Sequence, residues 1–202
     1  MFKKIMVIII VFACLLSVSA ISAADPTDDI AGANAVGNFV DLANDISAGG
    51  NISLTRDYIQ TDSHGQIAIT KNTIINGNGH TIDAQGKSRI FNIANGISVT
   101  LINITFINGK VTGSMDGAGG AIKTDTGSIT VIDSTFKDTT AQGDGGAIYS
   151  YEGFVNVTGS TFTNTTTGSD GGAIFSRIVT VTNSTFTNTT TARIGGAICS
   201  GG

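Results

Sequence analysis

The sequence predicts an all-β chain: a right-handed parallel β-helix with three short strands in each rung of about 24–26 residues, preceded by an amphipathic capping helix. Three observations lead there. Gly-Gly-Ala-Ile begins at Gly119, Gly145, Gly171 and Gly195, spaced by 26, 26 and 24 residues. Before each of Phe106, Phe136, Phe162 and Phe186 the chain alternates apolar, polar, apolar. The composition combines 27 Gly and 41% hydrophobic residues with only 13% charged. Such a chain is too apolar for a disordered tract and too rich in glycine for a helical protein.

The first element is a leader. Lys3 and Lys4 precede a nearly unbroken apolar run from Ile5 to Leu16, and small residues follow up to Ser22-Ala23-Ala24. This is the pattern of a signal peptide over residues 1–24, with an uncleaved membrane anchor as the alternative. Loss of the two lysines takes the formal net charge from −4 to −6. An acidic chain without a basic patch argues against nucleic acid or an anionic membrane as partner. No membrane contact is expected beyond the leader. Cys14 lies inside the leader, so Cys199 is left without a cysteine to pair with inside the chain.

Residues 25–50 read as a linker and cap. Between Ala35 and Ala48 the residues Val36, Phe39, Val40, Leu42, Ala43 and Ile46 fall on one helical face, and Gly49-Gly50 stops the helix. Placed before a solenoid, it would cover the first rung's apolar interior and strand edges. Residues 51–202 are the β-helix, expected to be incomplete at its C-terminal end. Ile67 to Ile75, His80 to Asp83 and Arg89 to Ile93 read as degenerate early rungs, with Asn76-Gly77-Asn78-Gly79 as a turn.

Within the regular rungs, Val99, Ile129, Val155 and Val179 form one apolar column and Leu101, Val131, Val157 and Val181 another. Asn103, Asp133, Gly159 and Asn183 then supply a bend, since these residue types tolerate a left-handed backbone. After the Phe, Asn108, Asp138, Asn164 and Asn188 supply a second bend, followed by a Thr-rich loop and the Gly-Gly turn. Ile122, Ile148, Ile174 and Ile198 re-enter the core, and the next column, beginning with Lys123, faces outward. Four extra residues after Phe106 place a bulged loop over Val111 to Asp116.

Chemistry-bearing residues are sparse. Asp144 and Asp170 both precede Gly-Gly and stack one rung apart, which suits paired carboxylates or a calcium ion. The same column reads Ala118 and Ile194 elsewhere, as an ordinary turn position would. Glu152 is the chain's single glutamate, Arg177 and Arg193 have no counterparts in other rungs, and His64 and His80 read as solvated loop histidines. No cofactor is implied. Asn-x-Ser/Thr occurs at Asn51, Asn103, Asn156, Asn164, Asn183 and Asn188. Asn156, on an outward strand position, is the best glycan acceptor, with Asn51, Asn103 and Asn183 behind it. Asn164 and Asn188 belong to a corner ladder and are expected to point inward.

The recurring Gly-Gly-Ala-Ile with its upstream Phe and Asn resembles the polymorphic outer-membrane protein repeats of bacteria. With Asn76-Gly77-Asn78-Gly79-His80-Thr81-Ile82-Asp83 and Ser88-Arg89-Ile90-Phe91-Asn92, it is more similar still to adhesin-like surface proteins of methanogenic archaea. The bacterial repeats carry Phe-x-x-Asn, whereas here the spacing is Phe162-Thr163-Asn164. The resemblance covers about residues 34–202 and implies cell-surface display, with glycans or surface proteins of host or neighbouring cells as partners and no defined catalytic residues. A polysaccharide lyase or glycoside hydrolase built on the same fold is the alternative.

Overall fold

The computed structural model describes residues 35–61, 63–113 and 116–201. They form a parallel β-solenoid of about six turns. The leader reading lies outside the described residues.

Three parallel sheets build the solenoid, two from its first turns and the third from Lys110 onward. The first carries two lines of strands. One line joins β3 (Ile67–Ile69), β6 (Phe91–Ile93), β10 (Ile122–Thr124), the leading parts of β14 (Ile148–Thr158) and β17 (Ile174–Thr182), and β20 (Ile198–Ser200). The other joins β1 (Gly50–Ser53), β4 (Thr73–Asn76), β7 (Ser98–Ile102), β11 (Ser128–Ile132) and the trailing parts of β14 and β17. The second sheet stacks β2 (Tyr58–Ile59), β5 (Thr81–Asp83), β8 (Thr105–Ile107), β12 (Thr135–Lys137), β15 (Thr161–Thr163) and β18 (Thr185–Thr187). The third stacks β9 (Lys110–Val111), β13 (Thr140–Ala141), β16 (Thr166–Thr167) and β19 (Thr190–Thr191).

The rung therefore has three faces, but its segments divide differently from the expected division. The Ile and Val segments share one sheet and fuse in β14 and β17, while the Thr-rich segment expected as a loop is the third face. Thr139 and Thr165 are buried beside it. The methyl of threonine lets the segment pack while its backbone pairs with the next rung. The insertion after Phe106 also starts later than expected, because Val111 pairs with Ala141 in β9.

Side chains at equivalent positions stack into ladders. Phe106, Phe136, Phe162 and Phe186 lie face to face with centroids 4.7, 4.7 and 4.8 Å apart. That is the strand spacing of about 4.8 Å, so backbone pairing and ring stacking are satisfied together. Phe91 meets Phe106 edge-on at 5.9 Å and comes from a different face of its rung. Ile122, Ile148 and Ile174 and the Val columns fill the rest of the interior. Both predicted bends are left-handed: φ is 51° at Asn103, 48° at Asp133, 56° at Asn108 and 54° at Asn164.

A serine ladder begins each Phe strand. The Ile104 amide donates to Ser134 Oγ, the Ser134 amide to Ser160 Oγ and the Ser160 amide to Ser184 Oγ. Each of these hydroxyls donates in turn to the carbonyl two residues before it. The corner thus has its backbone donors satisfied where strand pairing is interrupted.

The glycine pair has two separate causes. Gly119, Gly145 and Gly171 hold φ of 65–69°, which a β-carbon would strain. The second glycine instead touches the next rung: a β-carbon on Gly146 would lie 2.2 Å from the Gly172 carbonyl oxygen, and one on Gly120 as close to that of Gly146.

The helix α1 (Phe39–Ile46) is shorter than its periodicity suggests. Asn38 caps it in a reciprocal box with Asp41. The residues before Asn38 are extended, because Gly37 pairs with β2 through Asp57 and Ile59. Val36 and Val40, assigned above to the buried face, are 57% and 43% exposed; Phe39, Leu42 and Ile46 enter the core. Tyr58 Oη donates to Asp45 of the helix at 2.7 Å, which ties the helix to the first turn.

Buried Arg89 closes the early rungs over the insertion. Its guanidinium donates to the carbonyls of Asp116, Ala118 and Gly119 and to Gln66. Burial would raise the Asp116 carboxyl, but the Lys123 ammonium at 2.6 Å and Arg89 hold it below the usual carboxylate range.

Phe162→Ala opens a cavity between two stacked rings and should lower stability by about 3–5 kcal/mol in denaturant melts. Gly146→Ala should cost about 1–3 kcal/mol through the clash with Gly172. Gly196→Ala, where a β-carbon meets nothing within 4 Å, should leave the melting midpoint unchanged.

Candidate functional site

Since the interior is filled by ladders, functional side chains must come from corners and outward columns. Asp144 and Asp170 are brought to one corner on successive rungs, as the repeat predicts. Their oxygens are engaged by backbone: Asp144 Oδ1 accepts the Asp170 amide at 3.1 Å, and Asp170 Oδ1 accepts the Ile194 amide at 2.9 Å. Arg193 Nε stands 3.7 Å from the latter oxygen. The two carboxylates thus act in series, each holding the start of the next rung's turn. Among the described residues, no group of three or more His, Cys, Asp or Glu side chains is placed to hold a metal ion.

The six sequon asparagines divide by geometry. Asn156 is exposed on β14, between Thr130 and Thr180 of the neighbouring rungs. Asn51 is exposed on β1, and Asn103 and Asn183 are exposed at the first corner. Asn164 and Asn188, expected to point inward, are exposed as well. Their amides are nevertheless occupied: Asn164 Nδ2 donates to Asp138 at 2.8 Å and Asn188 Nδ2 to Asn164 at 3.2 Å. The corner ladder runs along the surface because the left-handed residue projects away from the core on the outer side of the bend.

Of the histidines, His64 is exposed, but His80 is half-buried with Nδ1 3.0 Å from Asp57. The Thr81 amide and His80 together hold the Asp57 carboxyl below its usual range, against the opposing effect of burial. His80 is therefore part of a turn anchor rather than a solvated loop residue.

The outward face of β14 and β17 carries a feature that motif reasoning missed. Tyr149 lies 5.5 Å from Phe175 and 6.5 Å from Tyr151, with ring planes within 13° and 10° of parallel. Beside them Tyr151, Phe154 and Ile178 are 56%, 55% and 47% exposed. Isolated apolar residues on a surface are ordinary, and this grouping on one outward face makes it the candidate contact surface. Burial, with Asp125 and Asp144 nearby, pushes the Tyr149 hydroxyl up to about 12, so it remains a neutral donor. The signal was present in the two-residue period, where the polar phase of two neighbouring strands becomes apolar together.

Next to this group is an open cleft of about 230 Å³ lined by Tyr151, Glu152, Arg177 and Gly201. It arises where pairing of β14 with β17 shifts register between Ser150 and Phe154, because the later rung is two residues shorter. A larger cleft of about 460 Å³ beside the insertion is lined by Lys87, Lys110, Arg89 and Asp116, among others. Its guanidinium is already spent on the loop carbonyls.

Compared with known protein families, curated proteins and solved structures, the chain gives no match. Among the described residues no helix is long and apolar enough to cross a membrane.

Asp144→Ala should destabilise the chain by about 1 kcal/mol, since the Asp170 amide loses its acceptor. Asp144→Asn, which keeps an oxygen there, should melt close to the unsubstituted chain. A chelator should leave both curves unmoved.

Proposed function

We propose that this is a secreted or cell-surface protein of adhesin type, whose solenoid is a stiff, non-catalytic stalk that presents binding surface along its outer faces. The observation that carries the reading is the group of exposed Tyr151, Phe154 and Ile178 beside the half-buried, stacked Tyr149 and Phe175 on a rigid sheet. Such a surface favours contact with a partner, and its backing by paired strands keeps it in shape before contact. The leader pattern supports export, and the similarity to adhesin-like surface proteins of methanogenic archaea supports display. The most suggestive acidic pair, Asp144 and Asp170, is engaged by backbone amides, which fits a structural use of both carboxylates.

Protease treatment of intact native cells, followed by mass spectrometry of the released peptides, tests this directly. Peptides from the solenoid should be released without lysis. Recovery of the chain only after lysis would count against surface display.

A further inference from the structure

We propose that the cleft between Tyr151, Glu152 and Arg177 binds one sugar ring of a neutral saccharide. This deepens the surface-protein reading and rests on it.

The charged side chains of this cleft are unused by the fold. Most polar groups elsewhere on the solenoid serve it: Asp144 and Asp170 accept backbone amides, Asp116 neutralises Arg89 and Lys123, and Asp57 anchors a turn. Among the described residues, the Glu152 carboxylate and Arg177 guanidinium take no side-chain hydrogen bond or ion pair, although they line the same cleft. They are exposed and cancel in charge, so the site favours a ligand that is polar but uncharged.

The third wall is aromatic. Tyr151 is held nearly parallel to Tyr149, which is itself stacked on Phe175 of the next rung. The neighbouring ring favours this orientation on one side, which lowers the ordering cost of binding. A pyranose has an apolar C–H face and a rim of hydroxyl groups. The tyrosine ring suits the face, the carboxylate accepts from the rim and the guanidinium donates to it. At about 230 Å³ the cleft is smaller than the ~300 Å³ from which drug-sized pockets begin, so it has room for one ring.

The rung architecture explains why a cleft forms here. The earlier rung has Asp125, Thr126 and Gly127 where this one has Tyr151, Glu152 and Gly153. The following rung has only Arg177 in their place. The longer turn therefore overhangs the shorter one, and Glu152 and Arg177 come to line one hollow.

The test is saturation-transfer NMR on the full mature chain. The probes are methyl glycosides of glucose, galactose, mannose and N-acetylglucosamine, with methyl glucuronide as the charged comparison. At least one neutral glycoside should bind, in the millimolar range expected of a single open site, and more tightly than the glucuronide. Tyr151→Ala and Arg177→Gln should each weaken that binding about tenfold or more, as loss of a central contact does. Tyr151→Phe should retain it, and so should Lys137→Gln, an exposed position on the second sheet away from the cleft. Unchanged melting temperatures would show that the variants are folded. Absence of binding by all four neutral glycosides, stronger binding of the glucuronide, or equal loss in Lys137→Gln would overturn the proposal. Surface release of peptides with no sugar binding would remove this cleft alone; sugar binding by a chain found only inside cells would remove the surface reading alone.

Discussion

Parallel pairing between successive rungs sets a separation of about 4.8 Å, and every other feature of this solenoid has to live with that distance. Aromatic rings tolerate it well, since it places stacked faces near contact, and four phenylalanines use it in sequence. Side chains at the tightest turn do not tolerate it. There Gly120, Gly146 and Gly172 approach the next rung's carbonyl so closely that no β-carbon fits. The same spacing lets one rung's hydroxyl or carboxamide reach the next, which is how the serine and asparagine ladders close the corners.

This constraint also divides the surface into conserved geometry and free chemistry. Inward columns must be nearly uniform, because each residue packs on its own counterpart above and below. Outward columns carry no such demand, so Lys123, Tyr149, Phe175 and Cys199 follow one another at equivalent sites. A two-residue change in a turn leaves the ladders on either side intact and creates a hollow where the long turn passes the short one. Variation of that kind gives a repetitive stalk local binding sites without disturbing its interior.

Much of the fold is legible in the sequence because the repeat reports the rung directly. Phe162 beneath Phe186 and Ile148 beneath Ile174 follow from spacing alone. The Thr-rich face was harder to see, since Thr166-Thr167 is polar by composition yet extended by neighbour pairing. Arg89 was harder still: a fully buried guanidinium holding three loop carbonyls depends on residues about 27–30 positions away. Asp144 and Asp170 were placed correctly on one corner, but only coordinates reveal that their oxygens are engaged by amides. The aromatic group on β14 and β17 belongs to no motif and is visible only as a change of polarity in phase with the strand.

If stacking between nearest neighbours is what specifies this fold, a rung should be removable as a unit. Deleting residues 145–170, one 26-residue period, rejoins Asp144 to Gly171 with the Asp-Gly-Gly turn intact. The shortened chain should keep its β circular-dichroism spectrum and unfold cooperatively at somewhat lower denaturant, whereas removal of only half that segment should abolish the transition. If whole-rung deletion were as damaging as half-rung deletion, the ladders would not be the basis of the fold.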